Sequence, residues 1–182
     1  MSADARTLET LFDALFAADE RTRLIGGASE PVYRPAISDD ASHRIIYRAD
    51  YFASALHEVA HWCIAGPARR RLPDYGYWYA PAGRGPAAQR AFEAAEARPQ
   101  GLEWLFAQAC GTPFVLSVDN VGAAPDRAQL ARFAVAVAVA ARGWQRQGPA
   151  GRAGRFVAAL REAFPNGRPV HAMRFAPALL LA

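Results

Sequence analysis

Leu8, Leu11, Phe12, Leu15 and Phe16 recur at helical spacing and predict an amphipathic first helix, with Gly26-Gly27 as the pair that ends it. Pro31-Val32-Tyr33 and Arg44-Ile45-Ile46-Tyr47 are short β-branched or aromatic runs and predict strands. A second helix is expected over residues 51–65, closed by Gly66-Pro67, with Phe52, Leu56, Val59 and Ile64 on its buried face. Over residues 74–85 the periodicity gives way to an aromatic loop, DYGYWYAPAGRG, with room for one strand. Phe92, Glu93 and Glu96 fall in a further helical stretch that Pro99 interrupts or restarts. Beyond it Leu102, Leu105, Phe106 and Ala109 form an apolar face. Asp126 is placed to cap a long helix whose Leu130, Phe133, Ala134 and Val137 face inward. Residues 148–155, GPAGRAGR, read as a surface loop, and a last helix carries Phe156, Leu160 and Phe164 up to Pro165-Asn166-Gly167. The pattern describes an α+β fold, one helix-rich domain over residues 1–182 with a small sheet.

Composition narrows the classes. The 182 residues are 52% apolar and 21% charged, the balance of a globular chain rather than a disordered one. The longest apolar run, residues 133–141, is far short of the roughly 20 needed to span a bilayer, so no membrane role is expected. The first residues carry acids before any apolar block and do not read as a leader. Cys63 and Cys110, the only two cysteines, read as reduced thiols of a cytoplasmic protein. The net charge of +4 comes entirely from arginine, since the chain has no lysine. That field suits an acidic protein partner. Nucleic acid is not expected, because the arginines are scattered and cluster only at Arg69-Arg70-Arg71, without a basic stripe interleaved with aromatics.

The chemistry concentrates in His57-Glu58-Val59-Ala60-His61. Positions i and i+4 lie one above the other on a helix, so His57 and His61 can hold one metal ion while Glu58 points to the neighbouring face. No third histidine follows at the extended spacing, and His43 and His171 have no supporting context. A carboxylate on the following helix is the natural third ligand. Glu93, Glu96 and, more weakly, Glu103 are the candidates; Glu96 is preferred because Gln100 lies one turn on and could orient it. Two histidines and a carboxylate do not select the metal. Zinc would make a peptidase with Glu58 as the base, whereas iron(II) would leave positions for dioxygen. In the aromatic loop, Tyr75, Tyr77 and Tyr79 are candidate substrate contacts, lining a pocket for a long aliphatic or cationic side chain; core packing is the competing role. Ser117-Val118-Asp119-Asn120 could add polar pocket groups or form a turn, and Cys63 is expected to pack away from the ligands.

The stretches RTRLIGG, EPVYRPA, YFASALHEVAHWCIAG, DYGYWYAPAGR, FEAAEARPQGLEWLF and PFVLSVDN together resemble the elongation factor P hydroxylase family. The likeness runs from Arg21 to Asn120 and loosens beyond. It implies a metal-dependent, oxygen-consuming enzyme that hydroxylates a β-lysylated lysine of elongation factor P, its protein partner. It further implies non-haem iron(II) held by His57, His61 and Glu96, with dioxygen as cosubstrate and zinc as the alternative metal. Glu58 would then position a water or the substrate ammonium instead of serving a peptidase. No double-stranded β-helix pattern is visible, so 2-oxoglutarate is not assumed. A zinc metallopeptidase and a metal-free binding module of the translation apparatus are the other readings the sequence leaves open.

Overall fold

The computed structural model describes residues 4–77, 83–118 and 126–181. Helix α1 (Ala5–Phe16) begins at Asp4, whose carboxylate accepts from the Arg6 amide, and it buries Leu8, Phe12 and Phe16. The chain then enters strand β1 (Thr22–Ala28), β2 (Val32–Arg34) and β3 (His43–Arg48). β3 is central, parallel to β1 and antiparallel to β2. Alternation fixes the two faces: Leu24, Tyr33, Ile45 and Tyr47 point into the core, while Arg23, Arg44 and Arg34 stand in register on the outer face.

Three expectations are corrected, two here and that for Pro99 below. The first helix ends ten residues before Gly26-Gly27, which belong to β1 instead. The glycines serve close approach. A Cβ at Gly26 would lie 2.7 Å from both the Ala49 carbonyl oxygen and the Tyr47 hydroxyl, and the Gly26 amide donates to Glu9 Oε1. Residues 148–155 are not a loop throughout, because α5 (Gly151–Ala163) starts within them and buries Ala153, Phe156, Val157 and Leu160. Its Arg152 guanidinium donates to the carbonyls of Trp62, Cys63 and Ala65, closing the C-terminus of α2 (Phe52–Ile64).

α2 buries Ala55, Leu56, Val59, Ala60 and Trp62, and packs on α3 (Pro86–Cys110). α3 runs unbroken through Pro99, so the proline neither interrupts nor restarts it. The lost hydrogen bond, a cost of about 3 kcal/mol, is offset by burial, since nearly every residue from Pro99 to Cys110 lies inside the protein. α4 (Arg127–Gln147) is capped by Asp126 as expected and packs along α3 at Gly101, where a Cβ would come within 2.8 Å of Ala140 Cβ and the Ala141 amide nitrogen. The histidine helix and the glutamate helix thus meet inside one continuous core. Among the described residues no helix is long and apolar enough to cross a membrane.

Candidate metal centre

α2 presents His57 and His61 one turn apart toward α3, which presents Glu96. His57 Nε2 and His61 Nε2 lie 3.1 Å apart, and the Glu96 carboxylate oxygens lie 3.5 Å and 3.3 Å from them. With metal–ligand bonds of about 2.1 Å, neighbouring ligands sit about 3.0 Å apart in an octahedron and about 3.4 Å apart in a tetrahedron. The donor set fits an ion on distance alone, and its imidazole and carboxylate chemistry fits iron(II) or zinc.

The surroundings prepare each donor. Glu96 is buried; burial would raise its carboxyl, but His61, His57 and the Gln100 amide outweigh that and hold it at about 2. Gln100 Nε2 reaches Glu96 Oε2 at 3.4 Å and the Ser117 carbonyl at 2.8 Å, while Gln100 Oε1 accepts from the Ser117 amide at 3.1 Å. Its side chain is thereby fixed by the backbone of the segment after α3. On the far side of His57, Nδ1 lies 2.7 Å from Glu103 Oε2. Burial pushes the Glu103 carboxyl up against the pull of His57; as a carboxylate it only accepts, so this contact holds a ring proton on Nδ1, and Nε2 is the nitrogen that would give up its proton to take a metal ion. Burial lowers the tendency of His57 to hold a second proton, yet Glu103 and Glu96 reverse this and raise its pKa to about 10.

The remaining candidates divide. Glu58 is half-buried beside the triad, where burial pushes its carboxyl up against the pull of the two histidines. Glu93 faces elsewhere, accepting from Gln89 at 3.2 Å and from Gln129 of α4 at 2.6 Å. Tyr75 is buried, with its ring 4.3 Å from that of Tyr33 and 6.4 Å from that of His61, nearly parallel to both. Tyr77 is 40% exposed and lies 4.3 Å beneath the Arg69 guanidinium. Tyr79, Asp119 and Asn120 lie outside the described residues. His43 accepts from the Ala36 amide, His171 is exposed, and Cys63 takes no part in the donor cluster. Of the arginine triplet, Arg69 and Arg70 are tied into the fold through the Tyr75 carbonyl and Glu20, whereas exposed Arg71 has no such tie among the described residues.

Sequence reasoning ranked Glu103 last as a ligand and missed its part as the partner of His57. A signal was present: Gln89, Glu93, Glu96, Gln100 and Glu103 repeat at alternating steps of four and three along α3, a polar stripe on a helix whose other buried positions are apolar. Buried polar residues on one face need partners, and that face is turned to α2 and the 117 segment.

Two comparisons bear on what this geometry belongs to. A sequence profile described as elongation factor P hydroxylase matches residues 11–175. The chain belongs to the elongation factor P hydroxylase family. The chain is also similar to the elongation factor P lysine hydroxylase of Haemophilus influenzae, 44% identical over 126 residues that cover 69% of this chain and 70% of that one. Membership of the hydroxylase family makes the peptidase reading of the HExxH motif the less favoured one, and the described geometry adds no observation for it.

Proposed function

We propose that this chain is a cytoplasmic, iron(II)-dependent hydroxylase of elongation factor P, acting on its β-lysylated lysine. The observation that carries the reading is the convergence of His57, His61 and Glu96 at 3.1–3.5 Å, a two-histidine, one-carboxylate face on the chain of a hydroxylase-family protein. In the reaction a C–H bond becomes C–OH. One oxygen atom of dioxygen is inserted and the other leaves as water, with two electrons from an external reductant and two protons. Iron(II), when bound, supplies the redox chemistry that dioxygen activation requires and that side chains lack.

The chain's own residues do the rest. His57, His61 and Glu96 hold the ion, Gln100 orients Glu96, and Glu103 fixes the tautomer of His57. Glu58 orients a water or the substrate ammonium, a role supported by its half-buried carboxyl beside the charges of His57 and His61. Tyr77, 40% exposed with the Arg69 guanidinium over its ring, meets the aliphatic part of the substrate with the exposed part of that ring. Arg44 and Arg34, in register on the outer face of the sheet beside an Arg23 that is paired with Asp13, favour an acidic protein partner over a neutral one.

The test is mass spectrometry of β-lysylated elongation factor P after incubation with the iron-loaded enzyme, reductant and air. The expected result is the mass gain of one oxygen, absent with His57→Ala and with Glu96→Ala. An unchanged substrate mass with fully iron-loaded wild type would overturn the reading.

A further inference from the structure

The turn after α2 is the most strained stretch of described backbone. Asp74 (φ 45°) and Tyr75 (φ 59°) are consecutive non-glycine residues in the left-handed region, followed by Gly76 at φ 71°. Side chains rarely adopt this conformation, and it persists only where neighbours enforce it. Here they do: Asp74 Oδ1 accepts from the Tyr33 amide at 2.7 Å, and the Tyr75 carbonyl accepts from Arg69 at 3.0 Å. The result is that the Tyr75 ring stacks on Tyr33 at 4.3 Å and lies parallel to the ring of the candidate ligand His61, 6.4 Å away.

The hydroxyl on that ring has no hydrogen-bond partner among the described residues, although Tyr75 is 97% buried, its exposure being 3%. The other two buried tyrosines among the described residues behave differently. Tyr33 donates to the Arg70 carbonyl and Tyr47 to Glu9 Oε1, both at 2.9 Å. A buried hydroxyl without a partner is unfavourable, so phenylalanine would suit position 75 better if packing were its only role. A phenol has an ordinary pKa of about 10, so at neutral pH its hydroxyl carries a proton to donate.

We propose that the Tyr75 hydroxyl is a hydrogen-bond donor reserved for a small anionic or oxygen-bearing ligand that enters the centre beside His61. This rests on the metal-centre reading above. Tyr75 is then a positioning residue of the ligand pocket rather than a contact for the aliphatic substrate chain.

The experiment uses cobalt(II)-loaded full-length protein and azide as the probe, followed by visible absorption, with thermal melting alongside. Tyr75→Phe is expected to take up cobalt(II) as wild type does, to melt at the same or a higher temperature, and to bind azide about tenfold more weakly, the loss of one hydrogen bond to a charged acceptor. Tyr33→Phe is the control: it removes a satisfied hydroxyl, so it melts lower and binds azide like wild type. Equal azide affinity in Tyr75→Phe, a lowered melting temperature in that variant, or no azide binding by cobalt-loaded wild type would each overturn this inference while leaving the metal centre standing. Failure of wild type to take up cobalt(II) would overturn the metal-centre reading and the inference with it.

Discussion

Replacing Glu103 by glutamine isolates the contribution of one carboxylate charge. The substitution keeps the shape and the reach to His57 Nδ1, 2.7 Å in the parent. A hydrogen bond to a charged group is worth about 1.5–3 kcal/mol and a neutral one about 0.5–1.5, so the swap forfeits about 1–1.5 kcal/mol of support for the Nδ1–H tautomer. An amide can also turn its nitrogen toward Nδ1, which would move the ring proton to Nε2 and block the donor itself. Metal affinity is therefore expected to fall at least tenfold, within the 10- to 100-fold range typical of residues that orient a metal-bound histidine. Alanine is the less informative variant. Glu103 borders a cavity of about 190 Å³ lined also by Phe52, Leu56, Ala107 and Pro113, and water entering there could replace the lost acceptor. The assay is competition for cobalt(II) against a chelating dye, with circular dichroism to confirm the fold. Wild-type affinity in Glu103→Gln would refute the argument that Glu103 sets the His57 tautomer.

Two further outcomes follow from the same structure. In metal-free protein the folded-state pKa of His57 lies near 10, above its unfolded value of about 6.5, so its stabilising contribution is full below pH 6.5 and is lost as pH rises through 10. Urea midpoints of wild type should fall more steeply between pH 7 and 10 than those of His57→Gln, and parallel curves would contradict the pairing with Glu103 and Glu96. Gly101→Ala gains helix propensity of about 1 kcal/mol but forces a Cβ to 2.8 Å from the α4 backbone, where overpacking typically costs more. A net destabilisation of about 1–2 kcal/mol is expected in chemical denaturation; increased stability would mean that α3 and α4 separate easily.

Local chemistry was legible in the sequence; pairing across the chain was not. The helix bearing His57 and His61 could be read because its apolar spacing, its Gly66-Pro67 stop and its ligand motif all lie within one short window. Strands β2 and β3 showed the same local consistency. β1 was hidden because Gly26-Gly27 carries the signature of a helix stop, and only the neighbours Tyr47 and Ala49 reveal why small residues are needed there. The last helix was expected from Phe156 onward, but the first turn of α5 was hidden by Gly151, Gly154 and the preceding Pro149, since what recruits that turn is the contact of Arg152 with carbonyls 87 to 90 residues away. Glu103 and His57 are 46 residues apart, and no local rule predicts their bond. The alternating polar stripe on α3 marked the face that needed partners without naming them.

All the donors of the centre come from two helices joined by a single connection, yet neither helix is held in place by the other alone. Arg152 of α5 fastens the end of α2, and α4 presses against α3 at the level of Gly101, one residue from Gln100. Grafting α2 and α3 into another scaffold would thus carry the ligands without the means of keeping them in register. The transplantable unit has to include the outer helices, and a drifting lineage can change its rim loops more freely than the two contacts by which those helices grip.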